Sequence, residues 1–226
     1  MIQDCVADLS HHQGLSLDFV KAKASGIKAI IHKCTQSTRY QDPRYVINRQ
    51  HAIEAGMLTG CYHFGTGTAS GKAQADYFLS TAKQGDLLCL DFEPNSQGLT
   101  MTLAQAIEFC AEVENETHRP IMIYTGFPML ASGLSMLQFS TIADADTIPT
   151  GLVRRSLWWA QYASSPSRAP KDWPLTLWQY TEAGLTDGIG HCDRNEFYGD
   201  DDALTKLFSP SPWDGIVGGA SGSTET

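Results

Sequence analysis

Two acidic residues, Asp91 and Glu93, stand two positions apart directly after a run of four apolar residues. If that run is a β-strand, both side chains point to the same face, with their Cβ atoms roughly 6–7 Å apart. Two carboxyl groups at that spacing repel each other when both are ionised, so one keeps a proton beside an anion. Hydrolysis of a glycosidic bond requires this combination. The plain alternative is a pair of solvated acids at a strand end.

Other polar and aromatic residues lie at the ends of strand-like runs. Asp8 ends the first such run, and Asp193 lies in the segment 190–195 after the last of them. If the strands close into a barrel, these two acids meet Asp91 and Glu93 at one mouth. The strand ends also carry Tyr62, His63, Tyr124, Gln161, Tyr162, Trp178, Gln179 and Tyr180. Rings and amides together suit a carbohydrate cleft, although each ring alone is also compatible with core packing.

Strand-like and helical patterns alternate through the first 124 residues. We predict strands at Cys5–Asp8, Lys28–Lys33, Leu58–His63, Leu87–Asp91 and Ile121–Tyr124, separated by helices at Leu17–Ser25, Arg44–Ala55, Ser70–Lys83 and Thr102–His118. The uninterrupted apolar run before Asp91 indicates a strand buried on both faces, as in a parallel sheet. Two further strands, Leu157–Tyr162 and Leu175–Tyr180, are joined by a segment too short for a crossover helix.

This order of elements predicts an α/β fold, a modified TIM-like β/α barrel with fewer helices in its second half. We assign residues 1–208 to the barrel and residues 209–226 to a flexible tail rich in Ser, Gly and Pro. Trp213 in that tail is an alternative docking point on the barrel. The segment Gly65–Gly71 lacks the lysine of a phosphate-binding loop. It is expected to form a loop over the mouth.

Composition narrows the partners and the compartment. A net charge of −9 without a basic stripe argues against nucleic acid, and the chain has no apolar run of membrane-spanning length. Because Met1–Asp4 shows neither the basic nor the apolar part of a secretory signal, we expect synthesis in the cytoplasm without a signal peptide. Six cysteines without a CxxC pair are expected to be free thiols. We expect no metal and no cofactor, because zinc-type spacing is missing and the adjacent His11 and His12 diverge.

The segment Asp8–Gly14, which reads D-L-S-H-H-Q-G, resembles the opening D-x-S-x-x-Q-G of glycoside hydrolase family 25, the muramidase-type lysozymes. Further segments resemble that family in the same order, over about residues 4–208: Ile31–Thr35, Gly60–Phe64, Leu90–Glu93, Ile123–Thr125, Trp159–Tyr162, Leu177–Tyr180 and Asp193–Asn195. The resemblance implies a modified β/α barrel that cleaves the β-1,4 bond between N-acetylmuramic acid and N-acetylglucosamine. It also implies bacterial peptidoglycan as the partner, without membrane insertion, for an enzyme that works as a monomer at the cell wall.

The resemblance also assigns roles to residues. Glu93 matches the general acid and Asp91 its partner carboxylate, while Asp8 and Asp193 match the other acids of the cleft. Substrate contacts are expected from Tyr62, Lys33, Tyr124, Gln161, Tyr162, Trp178 and Tyr180. The chain departs from the family at Gln36, where an acid is common, and this change is expected to reshape a loop and the substrate range.

Several alternatives stay open at this point. The barrel could bind peptidoglycan without cleaving it, or act as a related hexosaminidase on another amino-sugar glycan. Free thiols and one catalytic domain fit a phage endolysin, and they fit equally a bacterial enzyme that a secretion machine delivers.

Overall fold

A computed structural model describes residues 1–126, 128–129, 155–171 and 173–209. The strands are β1 Ile2–Leu9, β2 Ala29–Gln36, β3 Tyr40–Gln41, β4 Leu58–Phe64, β5 Leu87–Asp91, β6 Met122–Gly126, β7 Leu157–Ala160, β8 Leu175–Thr186 and β9 Gly190–Tyr198. The α-helices are α1 Phe19–Ala24, α2 Tyr45–Glu54, α3 Gly71–Thr81, α4 Leu103–Thr117 and α5 Asp201–Phe208, and a short 3-10 helix spans His11–Gln13. The predicted tail beyond Ser209 lies outside the described residues, so its boundary stays a prediction.

Eight of these strands close into a barrel. Their order around the ring is β1-β2-β4-β5-β6-β7-β8-β9, and β9 returns to pair with β1. The strands from β1 to β8 run parallel along this ring, whereas β9 is antiparallel to both of its neighbours. The two-residue strand β3 pairs only with β2. The predicted TIM-like β/α barrel is therefore confirmed, with one strand reversed.

Alternation along the strands separates two cores. Side chains such as Val6, Ile31, Cys89 and Leu177 point inward and fill the barrel. Their sequence neighbours point outward, where helices α1–α4 cover them. The inward positions nearest the carboxyl ends of the parallel strands are consequently the ones that can form a site at the mouth.

The opposite end of the barrel is closed by α5. Its residues Leu204 and Phe208 are buried in the inner core, and the Phe208 ring reaches the backbone of Gly60 near the start of β4. The side chain of Asp200 caps the helix by accepting a hydrogen bond from the Ala203 N–H. We did not predict this helix, whose eight residues are short for a periodic pattern.

The strand β9 was also missed. We expected Asp193 in a segment after the last strand, and the structure places it within β9, opposite Asp8 in the β1–β9 ladder. The inward positions at this end of β9 are Asp193 and Asn195 rather than apolar residues. Because functional polar residues occupy the inner face, the apolar alternation that would mark a strand is missing.

All six cysteines are free and buried, which confirms the prediction of free thiols. Within the described ranges, no helix combines the length and the apolar character needed to cross a bilayer. The segment Gly65–Gly71 leaves β4 and is tied to the chain that follows β5, where Thr66 bridges Thr100.

Candidate active site

A cavity opens at the carboxyl end of the parallel strands. It is lined by the inward residues closest to that end: Asp8, Tyr62, Asp91, Glu93, Tyr124, Trp158, Gln179 and Asp193. All four acids expected at the mouth are therefore brought together. Glu93 lies two residues beyond the end of β5 rather than within it, and it still faces the cavity.

Asp8 is buried and held by two side-chain amides. Its Oδ2 accepts hydrogen bonds from Asn195 Nδ2 at 2.8 Å and from Gln179 Nε2 at 3.0 Å. Gln179 Nε2 also lies 3.3 Å from Asp193 Oδ2. The two aspartates, which lie on adjacent antiparallel strands, therefore share one donor.

Burial and mutual repulsion favour the protonated forms of Asp8 and Asp193. Burial raises the pKa of Asp8, although the hydrogen bonds from Asn195 and Gln179 oppose the rise. Burial, followed by the nearby charge of Asp8, raises the pKa of Asp193 to about 9. Ionising both of two carboxyl groups this close together costs free energy because the charges repel, so the pair retains a proton at neutral pH.

Asp91 and Glu93 form a second acidic pair on the other side of the cavity. Burial raises the pKa of Glu93 to about 7, with a further contribution from the charge of Asp8. Burial, and then the charge of Glu93, raises the pKa of Asp91 well above its ordinary value. Among the residues that the structure describes, none donates a hydrogen bond to the buried Asp91 Oδ1.

Lys33 supplies positive charge beside this second pair. Its ammonium donates to Gln36 Oε1 at 2.7 Å and lies 4.9 Å from the centroid of the Phe64 ring. Burial lowers the pKa of Lys33, while the charges of Asp91, Asp42 and Glu93 oppose that fall. The charge of Lys33 in turn opposes the rise in the pKa of Asp91 and of Glu93. Lys33 does not line the cavity itself, so its influence on the acids is electrostatic.

The two tyrosines expected from β6 and the loop after β7 lie at the same wall. The hydroxyl group of Tyr124 donates to Gln179 Oε1 at 2.8 Å, and that of Tyr162 donates to the same oxygen at 3.0 Å. Tyr62 also lines the cavity, from β4. Tyr62 and Tyr124 thus line the cavity and Tyr162 reaches its wall through Gln179, while their contact with substrate stays a prediction.

Besides Lys33 and Tyr162, three expected contacts do not line the cavity: Gln161, Trp178 and Tyr180. Gln161 uses its oxygen for the Trp159 indole N–H and its amide nitrogen for Ser165 and Ser167, so it holds the loop after β7 together. Trp178 and Tyr180 have the opposite parity to Leu177 and Gln179 on β8, and therefore point outward.

The outward pair have partners outside the barrel. The Trp178 indole donates to the carbonyl of Gln161, and Tyr180 donates to Asp4 Oδ2 at 2.8 Å. Placing Trp178 and Tyr180 at the mouth was an error of strand parity. Both residues instead pack and form hydrogen bonds on the outer face of β8.

Two residues of the site, Trp158 and Asn195, were missing from our candidates, and Gln179 was noted at a strand end without being assigned a role. Trp158 lines the cavity, and its indole donates to Asn195 Oδ1 at 2.6 Å. Successive side chains of a strand alternate between its two faces. Counting every second residue from a position known to face inward would have placed Trp158 and Gln179 on the inner face. His63, also noted at a strand end, is instead a buried outer-layer residue whose pKa burial lowers to about 3.

Comparison with known proteins places this arrangement in a family. The sequence model of glycosyl hydrolases family 25 matches residues 7–189. The chain is 32% identical over 209 residues to lysozyme M1 of Streptomyces globisporus, covering 85% of this chain and 67% of that protein. It is 29% identical over 214 residues to the N,O-diacetylmuramidase of a Chalaropsis species, covering 88% and 96% of the two chains.

Solved structures show the same fold. A bacterial lysozyme from Streptomyces coelicolor superposes with a TM-score of 0.75 and 30% sequence identity, over 92% of this chain and 97% of that one. A muramidase from Trichobolus zukalii gives a TM-score of 0.76 and 27% identity, over 93% and 100%. The chain therefore belongs to glycosyl hydrolase family 25 and is a glycoside hydrolase that cleaves the β-1,4 bond between N-acetylmuramic acid and N-acetylglucosamine in peptidoglycan.

Proposed function

We propose that Glu93 is the general acid of this cleavage and that Asp91 is its partner. The observation that supports this most strongly is the position of Glu93, which is half-buried and lines the cavity. Burial raises the pKa of Glu93 to about 7, so the group holds a proton at mildly acidic pH while facing the cavity. A carboxylic acid whose pKa lies near the working pH is suited to protonate the glycosidic oxygen as the bond breaks.

Asp91 is suited to act on the substrate rather than on water. Its carboxyl group lines the cavity, where it can accept a hydrogen bond from the 2-acetamido N–H of the sugar. In this mechanism the acetamido oxygen attacks the anomeric carbon, the leaving-group oxygen takes the proton of Glu93, and Asp91 stabilises the positive charge on the acetamido group. This role requires the ionised form of Asp91; burial and the charge of Glu93 raise its pKa, and the charge of Lys33 opposes that rise.

Asp8 and Asp193 support a second mechanism. Both line the same cavity, on β1 and β9, and β9 lies four strands away from β5 in the ring of eight. An acid on that side could deprotonate a water molecule that displaces the leaving group directly. The two mechanisms differ in stereochemistry, so NMR of the first-formed product distinguishes them. A β-anomer supports attack by the acetamido group, and an α-anomer excludes it.

The role of Glu93 can be tested by changing the leaving group. Glu93→Gln is expected to lose several orders of magnitude in kcat on soluble peptidoglycan oligosaccharides, because the amide cannot donate the proton. On an aryl glycoside with a dinitrophenol leaving group, which needs no proton, the same variant is expected to lose far less. Glu54→Gln, on the exposed face of α2, is the matched control. Equal losses on both substrates would remove Glu93 from the acid role.

We also infer that the enzyme acts as a monomer on the wall outside the cytoplasmic membrane. The substrate, peptidoglycan, supports this location, and the closed ring of eight strands from one chain is compatible with a monomer. A sedimentation measurement at the concentrations used for activity assays tests this inference.

A further inference from the structure

Gln179 is a buried amide whose two ends are both occupied at the cavity wall. Only 2% of the residue is exposed. Its nitrogen donates to Asp8 Oδ2 at 3.0 Å and to Asp193 Oδ2 at 3.3 Å. Its oxygen accepts from the hydroxyl groups of Tyr124 at 2.8 Å and Tyr162 at 3.0 Å. Four side chains from four different parts of the barrel therefore converge on one amide group.

The partners fix which way the amide faces. The NH2 group has two protons and the carbonyl oxygen has two lone pairs, so each end matches two partners. Turning the amide over would place its oxygen against two carboxyl groups and leave them without this donor. Burying polar groups without partners is costly, so the observed orientation is strongly preferred. A glutamate, a methionine or a leucine at this position cannot satisfy both ends.

We propose that Gln179 is a positioning residue for the cleavage reaction, acting through Asp8 and Asp193. Its amide fixes the two carboxyl groups on the wall opposite Asp91 and Glu93, and it fixes the hydroxyl groups of Tyr124 and Tyr162 beside them. This inference rests on the proposed function only in taking this cavity as the place where the bond is cleaved. It does not require Glu93 to be the acid.

The position of Gln179 in the ring explains why its effect is directed to the acids. Strand β8 is the neighbour of β9 and the second neighbour of β1, so a side chain pointing inward from β8 reaches both. Asp8 has a second donor in Asn195, but Gln179 is the donor that joins Asp8 to Asp193. The hydrogen bond from Gln179 also lowers the pKa of Asp8. Losing the amide therefore changes both the geometry and the protonation of the acidic pair.

The first test is kinetic. On soluble peptidoglycan oligosaccharides, Gln179→Met is expected to lower kcat by up to about 100-fold, the cost of misplacing a reacting group by about 1 Å. KM is expected to change less than kcat, because Tyr124 and Tyr162 lose one hydrogen-bond partner but remain at the cavity wall. Gln179→Glu is expected to be at least as impaired, since it adds a third carboxyl group beside Asp8 and Asp193. Wild-type kcat in both variants would overturn the proposal.

A double-mutant cycle shows whether Gln179 acts through the aspartates. If it does, Gln179→Met is expected to cost clearly less in an Asp193→Asn background than in the wild type, because residues that act as a unit are not additive. A loss as large as in the wild-type background would show that Gln179 acts independently, and the proposal would fall.

A spectroscopic measurement separates this proposal from the assignment of Glu93. Carbon-13 NMR of the aspartate side-chain carboxyl groups follows the titration of Asp8 directly, without any turnover. Gln179→Met is expected to move that titration to higher pH. Gln74→Met is the matched control, because Gln74 is an equally buried amide bonded at both ends but lies outside the cavity. It is expected to lower stability without shifting the titration of Asp8.

The outcomes of the tests are distinct. An unshifted Asp8 titration in Gln179→Met would overturn the positioning role, whatever the activity. If the leaving-group test removes Glu93 from the acid role while Gln179 still couples to Asp193, the proposed acid is wrong and Gln179 remains a positioning residue.

Discussion

Four carboxyl groups and the charge of Lys33 determine how protons are distributed at the mouth of the barrel. The groups lie on two facing walls, with Asp8 and Asp193 on one and Asp91 and Glu93 on the other. Every one of the four has a raised pKa, and burial is the largest cause each time. The site therefore binds protons more tightly than the unfolded chain does, which has consequences for stability as well as for activity.

Replacing Asp193 by asparagine is expected to stabilise the enzyme at alkaline pH. The pKa of Asp193 is about 9 in the folded state, against about 3.9 for an unperturbed aspartate. The folded state thus binds the extra proton between these values, and the free energy of unfolding falls as pH rises from about 4 to about 9. The amide that Asp193→Asn introduces cannot ionise, so this loss disappears.

Thermal unfolding at two pH values tests that expectation. At pH 8, Asp193→Asn is expected to raise Tm by at least about 2–4 °C, the effect of about 1 kcal/mol in a chain of this size. At pH 4 the gain should largely vanish. Asp202→Asn removes the same charge from an exposed position on α5 and serves as control. The same Tm difference at both pH values would contradict the assignment of a buried, protonated Asp193.

Removing the charge of Lys33 is expected to shift the pH dependence of activity. A nearby cation favours the ionised form of an acid, so Lys33→Met raises the pKa of Asp91 and of Glu93. If Glu93 must be protonated, activity persists to higher pH, and the alkaline limb of the kcat/KM profile moves upward. Lys33→Arg keeps the charge and should leave the limb in place. A limb that does not move in Lys33→Met would show that another group controls it.

Among single elements, α5 has the clearest structural task. It covers the end of the barrel opposite the cavity, with Leu204 and Phe208 inserted in the inner core. An ion pair between Lys28 and Asp201 holds the start of the helix against the start of β2. The helix contributes to stability from a position that is remote from the acids.

Truncating Phe208 is expected to destabilise the fold without altering the chemistry. Phe208→Ala leaves a cavity in a fully buried site and is expected to cost about 3–5 kcal/mol of unfolding free energy in denaturant titrations. Lys206→Ala, on the exposed side of the same helix, should change it by less than about 0.5 kcal/mol. The pH profile of the folded Phe208→Ala enzyme should match the wild type. A much smaller loss of unfolding free energy would mean that α5 does not close this end of the inner core.

The elements show how far the sequence alone leads. Apolar periodicity located the seven parallel strands and four helices, because each of these buries an apolar face. It failed for β9, whose inner face is polar at the site, and for the short α5. Strand β8 shows the limit at residue level, since Leu175–Tyr180 was recognised as a strand but the side chains facing the cavity were assigned with the wrong parity. The four acids were found because Asp8, Asp91 and Glu93 end or follow apolar runs, and Asp193 follows the last strand-like run.

On the scale of the whole molecule, the chain is an acidic single barrel with a net charge of −9. It gains no general attraction to a polyanionic wall, so recognition depends on the cavity and its rim rather than on long-range steering. The whole barrel serves to bring residues from positions 8 to 193 to one mouth. At this mouth, with Glu93 as the proposed proton donor, the muramic acid linkage is cleaved.

The most direct test of that proposed role identifies the new reducing ends. Purified peptidoglycan is digested with wild type and with Glu93→Gln, the ends are reduced, and the terminal sugars are identified by mass spectrometry. We expect reduced N-acetylmuramic acid ends from the wild type, and a rate lower by several orders of magnitude from the variant. Reduced N-acetylglucosamine ends, or a variant that releases muramic acid ends at the wild-type rate, would contradict it.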